Sequence, residues 1–210
     1  MPPRVRASKD PVAAHIIRAD PAFKPLIAAV GPVDLRDSSG DPFNALLRAI
    51  VFQQLAGRAA TAILGRVLAL FEDGVPSPGA MLATRPEKLR AAGLSANKQA
   101  AVIDLAAKFA DGTIPTNDFD SLSDDEVIER LVKVRGVGPW TAEMFLMFEL
   151  HRPDVWPVDD FGVRAGWKRL HHLADAPKPK ELLLLGEPLR PYRSAAAWYC
   201  WRAVETVLPD

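Results

Sequence analysis

Apolar residues recur at intervals of three and four along almost the whole chain, and this periodicity restricts the fold more than any other feature. One stripe comprises Phe43, Leu46, Leu47, Ile50 and Val51, and another comprises Ile63, Leu64, Val67, Leu68 and Phe71. This spacing places side chains on one face of an α-helix, whereas a half-buried strand needs strict alternation. We therefore predict an all-α protein. The predicted helices are 11–19, 22–30, 43–54, 57–73, 77–83, 85–92, 96–110, 123–133, 139–150, 160–172, 179–185 and 193–207.

Two of the predicted helix starts carry a capping pattern. Thr84 and Ser123 are followed three residues later by Glu87 and Glu126, respectively. In a Ser/Thr-x-x-Glu sequence, the two side chains satisfy backbone N–H groups that the first helical turn leaves unpaired. Both patterns therefore predict that a helix begins there.

Composition and charge exclude several classes of protein. Of the 210 residues, 49% are hydrophobic, which is enough to build a core and excludes a disordered chain. The 26 basic residues equal the 26 acidic ones in number, so a polyanionic partner would have to bind a local patch. Cys200 is the only cysteine, which excludes an internal disulfide and a multi-thiolate metal site.

Hydropathy also bears on location and on metal binding. The sequence shows no apolar segment of signal-peptide type and no run of about 18 uninterrupted apolar residues, so we expect a cytoplasmic protein without membrane contact. The histidines offer no pair at i,i+4 spacing, the arrangement that would place two ring nitrogens on one helix face. We therefore expect no metal site built from side chains.

A glycine-rich turn between two predicted helices is the strongest functional signal from spacing alone. The segment Leu131 to Phe148 reads LVKVRGVGPWTAEMFLMF. Gly136 and Gly138 allow a tight turn with positive φ, and Pro139 is well tolerated in a first helical turn. The exposed N–H groups of that turn could bind a phosphate. Nearby basic residues are Arg130, Lys133 and Arg135. An ordinary packing corner between two helices is the alternative explanation.

A second motif makes the sequence resemble a known family. Trp156 to Phe161 reads WPVDDF and places two adjacent carboxylates at a helix start. Together with the hairpin, this motif resembles the helix-hairpin-helix DNA glycosylases, and within them the alkylbase branch of the 3-methyladenine DNA glycosylase II type. That branch has a Gly-Ile/Val-Gly-x-Trp-Thr-Ala hairpin, which Gly136 to Ala142 matches throughout.

The resemblance covers most of residues 43–202. Three further landmarks are Ala49 to Gln54, the Gly-Leu-Ser-x-x-Lys turn within Leu89 to Lys98, and the corner Arg190 to Ser194. The resemblance implies two helical lobes with the ligand cleft between them. One lobe would comprise residues 1–42 with 151–210, and the central lobe, which carries the hairpin, would comprise residues 43–150.

The resemblance assigns chemistry to the second acid of the pair, Asp160. Cleavage of an N-glycosidic bond develops positive charge on the sugar, which a nearby carboxylate stabilises without a metal. Capping of the following helix is the alternative role for either acid. We assign capping or loop support to Asp159 and catalysis to Asp160.

The resemblance also assigns residues to DNA binding and to a base pocket. Extrusion of a base from duplex DNA requires a side chain that fills the gap, and the expected plug turn comprises Gln53, Gln54 and Leu55. Either Gln54 or Leu55 would intercalate. Phosphate contacts are expected from Arg135, Gly136, Gly138 and Arg164. The expected base-pocket residues are Trp140, Phe161 and Tyr192, whose rings would stack on a cationic base, and Met144, which would add a flexible apolar wall. Each of the three aromatic residues could instead be a core residue.

These expectations combine into one predicted function. The protein would be a monomeric, monofunctional glycosylase that removes 3-methyladenine and 7-methylguanine from alkylated double-stranded DNA in base excision repair. It would need no cofactor, although the resemblance also implies a Na⁺ or K⁺ ion at the hairpin carbonyls when DNA is bound. The alternative is a non-catalytic helix-hairpin-helix DNA-binding module, which would need Gly136 and Gly138 but not Asp160.

Overall fold

The computed structural model describes residues 10–35, 40–55, 57–115 and 117–206. Across these ranges the chain forms α-helices joined by turns and single-turn 3₁₀ helices, with no β-strand, so the all-α prediction is confirmed. None of the helices in these ranges is long and apolar enough to cross a membrane. The helices are α1 (Pro11–Ala19), α2 (Phe23–Val30), α3 (Pro42–Phe52), α4 (Gly57–Leu68), α5 (Pro78–Ala83), α6 (Pro86–Ala91), α7 (Ala96–Ala110), α8 (Asp124–Leu131), α9 (Pro139–Phe148), α10 (Phe161–Leu170), α11 (Pro179–Leu185) and α12 (Arg193–Glu205).

Of the two predicted capping boxes, the structure contains one. Ser123 Oγ accepts the N–H of Glu126 at 3.3 Å, and the Glu126 carboxylate accepts the N–H of Ser123 at 2.8 Å. The prediction is wrong at Thr84, whose hydroxyl instead donates to the Ala80 carbonyl one turn earlier at 2.9 Å. Arg85 takes the N-cap position of α6.

The largest boundary difference from the predicted helices is at α4, which ends at Leu68 rather than at residue 73. The following turn contains Asp73 with φ +57° and Gly74 with φ +68°. These left-handed conformations cannot continue a right-handed helix.

The chain divides into two compact units, described separately below. The terminal unit comprises Met1–Arg36 and His151–Asp210, and the central unit comprises Asp37–Leu150. In the central unit, α3 packs against α4, α7 and α9, and α5 packs against α7. Its core includes Leu46, Leu47 and Ile50, which are fully buried. Phe43 and Phe109 meet edge to face, with ring centroids 5.4 Å apart.

The terminal unit is built around the packing of α10 against α12. A Cβ atom at Gly166 of α10 would overlap the carbonyl of Cys200 on α12, so the two backbones approach as closely as glycine allows. Cys200 is fully buried and packs in the core of this unit, and burial raises the pKa of its thiol well above its ordinary value. Tyr199 is also fully buried and donates its hydroxyl to the Gly31 carbonyl at 3.1 Å.

Candidate functional site

The glycine turn of the central unit connects α8 to α9, as the sequence predicted. Val134 and Val137 are buried beneath the turn, and the N–H of Val137 donates to the Val134 carbonyl at 3.0 Å. Gly136 has φ +78°, a conformation that residues with a side chain rarely adopt. The N–H of Arg135 donates to the Asp104 carboxylate of α7 at 2.7 Å, which anchors the turn to the unit.

Gly138 does not adopt the positive φ that a glycine at this position would allow. Its φ is −100°, which any residue can adopt, and a Cβ added there would meet no atom within 4 Å. Neither backbone conformation nor packing within the described chain therefore requires glycine at this position. Gly138 is the N-cap residue of α9, and its missing side chain leaves that helix N-terminus open to a ligand that approaches closely.

The predicted basic residues lie in different surroundings. Lys133 and Arg135 are exposed beside the hairpin of the central unit. Arg164 belongs to α10 of the terminal unit, and its Nε donates to the Pro177 carbonyl at 2.8 Å. Arg164 therefore has a structural partner in the loop that precedes α11.

The plug turn follows the C-terminus of α3. Gln54 has φ +55°, an unusual conformation for a residue other than glycine, and Leu55 is 38% exposed. The ammonium group of Lys98 donates to the carbonyls of Val51 and Gln53 at 2.6 and 2.8 Å. Desolvation lowers the pKa of Lys98 from its ordinary value. In the sequence, Lys98 is only the last residue of the Gly-Leu-Ser-x-x-Lys turn, whereas the structure shows that its ammonium group holds the C-terminal end of α3.

Within the plug turn, the two glutamines have different environments. Gln53 Nε2 donates to the Gly136 carbonyl at 3.0 Å and lies 3.5 Å from Thr141 Oγ1. Gln53 therefore joins the plug turn to the hairpin, which sequence analysis did not predict. Gln54 and Leu55, the other two residues of the plug turn, are exposed.

The acidic pair lies in the terminal unit, at the start of α10. Asp159 is exposed, whereas Asp160 is only 9% exposed. Asp160 Oδ1 accepts the N–H of Val163 at 2.7 Å, so Asp160 is the N-cap of α10 and the capping alternative holds for this acid. Capping by Asp159 is therefore wrong, and loop support by Asp159 stays a prediction. The same oxygen accepts the indole N–H of Trp201 at 2.8 Å. The structure thus holds the Asp160 carboxylate in one orientation, and Trp201 is a partner that sequence analysis missed.

The Arg-Ser corner at the start of α12 supports the loop that leads to Asp160. Arg193 is 8% exposed, and its Nε and Nη2 donate to the two carboxylate oxygens of Asp154 at 2.7 and 3.0 Å. Ser194 Oγ donates to the Arg152 carbonyl at 2.6 Å and accepts the N–H of Val155 at 2.9 Å. The two charge-assisted hydrogen bonds from Arg193 to Asp154 fix the geometry of the loop as well as stabilising it. Asp154 carried no signal in the sequence beyond its place in this loop.

The predicted base-pocket residues come from both units. On α9 of the central unit, Trp140 is 45% exposed and Met144 is half-buried. In the terminal unit, Phe161 is 80% exposed, and half-buried Tyr192 meets the ring of His15 edge to face at 5.2 Å. Trp140 and Phe161 are therefore not core residues, and large exposed aromatic side chains often mark a ligand surface.

Two cavities within the units lie away from these residues. One, of about 400 Å³, is lined by residues such as Asp41, Ser77 and Phe109, and the other, of about 340 Å³, by Asp20, Trp167 and Leu189. Neither is lined by Asp160 or by a predicted base-pocket residue.

Side-chain metal binding finds no support in the described ranges, where no group of three or more His, Cys, Asp or Glu residues could hold an ion. The hairpin carbonyls are the expected ligands of a Na⁺ or K⁺ ion. In this structure the Gly136 carbonyl accepts the amide of Gln53, and the Val134 carbonyl accepts the N–H of Val137. A carbonyl oxygen has two lone pairs, so one protein donor at each of these oxygens does not exclude a cation, and no step is assigned to one.

Residues 47–191, which include both the hairpin and the acidic pair, match the HhH-GPD superfamily of base excision DNA repair proteins. The chain belongs to this superfamily. Among HhH-GPD relatives, DNA-3-methyladenine glycosylase 1 of Schizosaccharomyces pombe is 38% identical over 192 residues, which cover 90% of this chain and 84% of that protein.

Solved structures agree with this membership. The 3-methyladenine DNA glycosylase of Schizosaccharomyces pombe in complex with abasic DNA matches this HhH-GPD protein with a TM-score of 0.85 and 35% identity, over 94% of this chain and 98% of that one. A DNA-3-methyladenine glycosidase from Bacillus halodurans matches with a TM-score of 0.86 and 32% identity, over 97% and 94% of the two chains.

Proposed function

We propose that this HhH-GPD protein is a monofunctional DNA glycosylase that removes alkylated purines, such as 3-methyladenine and 7-methylguanine, from double-stranded DNA. The observation that carries the proposal is the Asp160 carboxylate, which is 9% exposed and is held by two N–H donors at the start of α10. The names of the relatives from Schizosaccharomyces pombe and Bacillus halodurans support 3-methyladenine as a substrate.

The chemistry follows from the charge of the carboxylate. As the bond between base and sugar breaks, positive charge develops on the sugar, and a preorganised carboxylate stabilises it without further reorganisation. Asp160 also orients the water that attacks the sugar. Because alkylation at N3 of adenine or N7 of guanine makes the base a cation, the base leaves without a general acid. An uncharged base such as 8-oxoguanine leaves less readily.

DNA binding is assigned to the hairpin and to the plug turn. The open N-terminus of α9 at Gly138, with exposed Lys133 and Arg135 nearby, suits a phosphate. Gln54 or Leu55 would fill the gap left by the extruded base. The structure of the Schizosaccharomyces pombe relative with abasic DNA supports a DNA partner.

The aromatic residues suggest how the base is bound. Exposed Trp140 and Phe161 offer ring faces that attract a flat cation. Met144, which is half-buried, would add a flexible apolar wall that admits several base shapes. Tyr192 would contribute a further ring. Such a surface would form few hydrogen bonds with the base and so would discriminate little between bases, which favours broad excision of cationic alkylpurines.

Base release from defined duplexes tests this proposal. Single-turnover release would be measured at equal enzyme from DNA that contains 3-methyladenine, 7-methylguanine or 8-oxoguanine. We expect fast release of the methylated bases and slow or no release of 8-oxoguanine. Faster release of the oxidised base would contradict the substrate assignment. Binding to all the duplexes without any release would favour the non-catalytic DNA-binding module.

Three further features remain predictions: a monomer, a cytoplasmic location and a Na⁺ or K⁺ ion at the hairpin during DNA binding. Light scattering of the free protein tests the first. Exchange of Na⁺, K⁺ and a large organic cation in the binding assay tests the last, because only a bound ion makes affinity depend on the identity of the cation at constant ionic strength.

A further inference from the structure

We propose that Trp201 is a positioning residue for the proposed reaction and acts through Asp160. The inference rests on the proposed function of Asp160. The indole Nε1–H of Trp201 donates to Asp160 Oδ1 at 2.8 Å, and the N–H of Val163 donates to the same oxygen at 2.7 Å. Two donors at one oxygen hold the plane of the carboxylate and stabilise its charged form, because hydrogen bonds to ionised groups are stronger than neutral ones.

Burial makes the Trp201 contact hard to replace. Asp160 is 9% exposed, so little bulk water reaches the carboxylate if the indole donor is lost. A hydrogen-bonding group that loses its partner in such a place bears most of its desolvation penalty. The backbone donor from Val163 would remain, because it belongs to the helix cap.

Two glycines of α10 allow Trp201 to reach Asp160. A Cβ at Gly162 would lie 2.7 Å from Trp201 Cδ1 and 3.1 Å from Asp160 Oδ1, so any side chain there would displace the indole. Gly166, one turn later on the same face, lets the backbone at Cys200 approach α10. Both glycines thus serve the close packing of α10 and α12 that brings the indole over the acid.

Other tryptophans in the terminal unit have different partners, which makes matched controls available. Trp198 lies on the same helix as Trp201, and its ring contacts the ring of Tyr199 and the guanidinium of Arg202. The indole N–H of Trp156 donates to the Leu182 carbonyl at 2.9 Å. Replacement of Trp198 by phenylalanine therefore changes a tryptophan of α12 without removing a donor to Asp160.

The test compares chemistry with binding in Trp201→Phe and Trp198→Phe. Single-turnover release from methylated DNA measures chemistry, and affinity for a duplex with an abasic-site analogue measures binding. We expect Trp201→Phe to lower the rate about tenfold, which corresponds to about 1.4 kcal/mol, with affinity changed less than about twofold. Trp198→Phe should change neither quantity by more than about twofold. A wild-type rate for Trp201→Phe would overturn the proposal.

A shape-preserving replacement separates the donor from packing. Benzothienylalanine at position 201 replaces the indole N–H by sulfur while retaining the size of the ring system. The same rate loss as in Trp201→Phe supports the hydrogen bond as the cause. Retention of the wild-type rate would show that the ring, and not its donor, matters, and this result would also overturn the proposal. The benzothienylalanine variant also provides the test of the proposal if Trp201→Phe does not fold.

A double-mutant cycle tests whether Trp201 acts through Asp160. In an Asp160→Asn background, Trp201→Phe should have almost no further effect on the residual rate, because the charge that it positions is gone. An equal loss in both backgrounds would overturn the proposal while leaving the role of Asp160 intact. A wild-type rate in Asp160→Asn alone would refute the proposed function of Asp160, and with it the positioning role.

Discussion

Replacement of Asp160 by asparagine removes a charge while preserving the shape of the side chain. Asparagine retains an oxygen that can accept the N–H groups of Val163 and Trp201, which are 2.7 and 2.8 Å from Oδ1 in the wild-type protein. Asparagine and aspartate are about equally good N-cap residues, so α10 should begin at the same place. The melting temperature should therefore change little, and any loss of activity should report the missing charge.

The expected loss follows from the burial of the carboxylate. Opposite unit charges about 4 Å apart attract by about 4 kcal/mol at an effective dielectric constant near 20. Because about 1.4 kcal/mol of transition-state energy changes a rate tenfold, Asp160→Asn should release a methylated base roughly a thousandfold more slowly. The 9% exposure of Asp160 makes screening by water much weaker than at exposed Asp159.

Single-turnover release from methylated duplex DNA, with enzyme in excess, measures this loss directly. Affinity for abasic DNA and the melting temperature should be measured in parallel, to show that the variant is folded and binds. Asp159→Asn is the matched control, and we expect it to release the base at a rate within a few-fold of the wild type. A rate within tenfold of the wild type for folded Asp160→Asn would refute the assignment of catalysis to this residue.

Four further predictions concern other parts of the molecule. Gly138→Pro should weaken binding to every duplex alike in fluorescence anisotropy, since it removes an N–H at the start of α9; a change in lesion preference at constant affinity would contradict the phosphate role. Borohydride should trap no covalent adduct with DNA, because the family resemblance places Trp140 at the position where members that cleave the strand have a nucleophilic lysine, and a good yield would disprove monofunctional chemistry. Gly166→Ala should lower the free energy of unfolding in urea by roughly 1–3 kcal/mol or more, because its Cβ would overlap the Cys200 carbonyl, and an unchanged midpoint would show that the helices separate freely. Burial raises the pKa of Tyr199 to about 12, so folding stability should fall as pH rises from about 10 towards 12. In a tyrosine absorbance titration, Tyr199 should ionise near the upper end of this range, and loss of that ionisation step in Tyr199→Phe would confirm the assignment.

The fold class and the helices could be predicted from sequence because their causes are local. Apolar periodicity and capping residues act within a few positions of the chain, so each predicted helix has a counterpart in the structure. The errors arose where one local pattern admits two outcomes. Thr84 has the spacing of a capping box, yet its hydroxyl bonds to the Ala80 carbonyl of the preceding helix. Gly138 has the composition of a positive-φ turn, yet its φ is −100°.

The hairpin and the acidic pair were also predictable as motifs, because both are contiguous in sequence. Only the tertiary structure distinguishes the members of each motif. Asp160 is buried and caps α10 whereas Asp159 is exposed, and a second donor to Asp160 comes from Trp201 on α12. Trp201 is 41 residues along the chain from Asp160, to which it donates. Gln53 is 83 residues along the chain from Gly136, whose carbonyl accepts its amide N–H.

The physical reason for this division is the range over which each interaction acts. A helix forms from hydrogen bonds four residues apart, so composition and spacing in a short window predict it. The contacts that orient the Asp160 carboxylate and join the plug turn to the hairpin depend on which helix faces pack together. That packing is decided by the whole core, and in the terminal unit by glycines that admit a neighbouring backbone and indole. The sequence by itself therefore determined the helices and the motif residues, and the tertiary structure decided their partners.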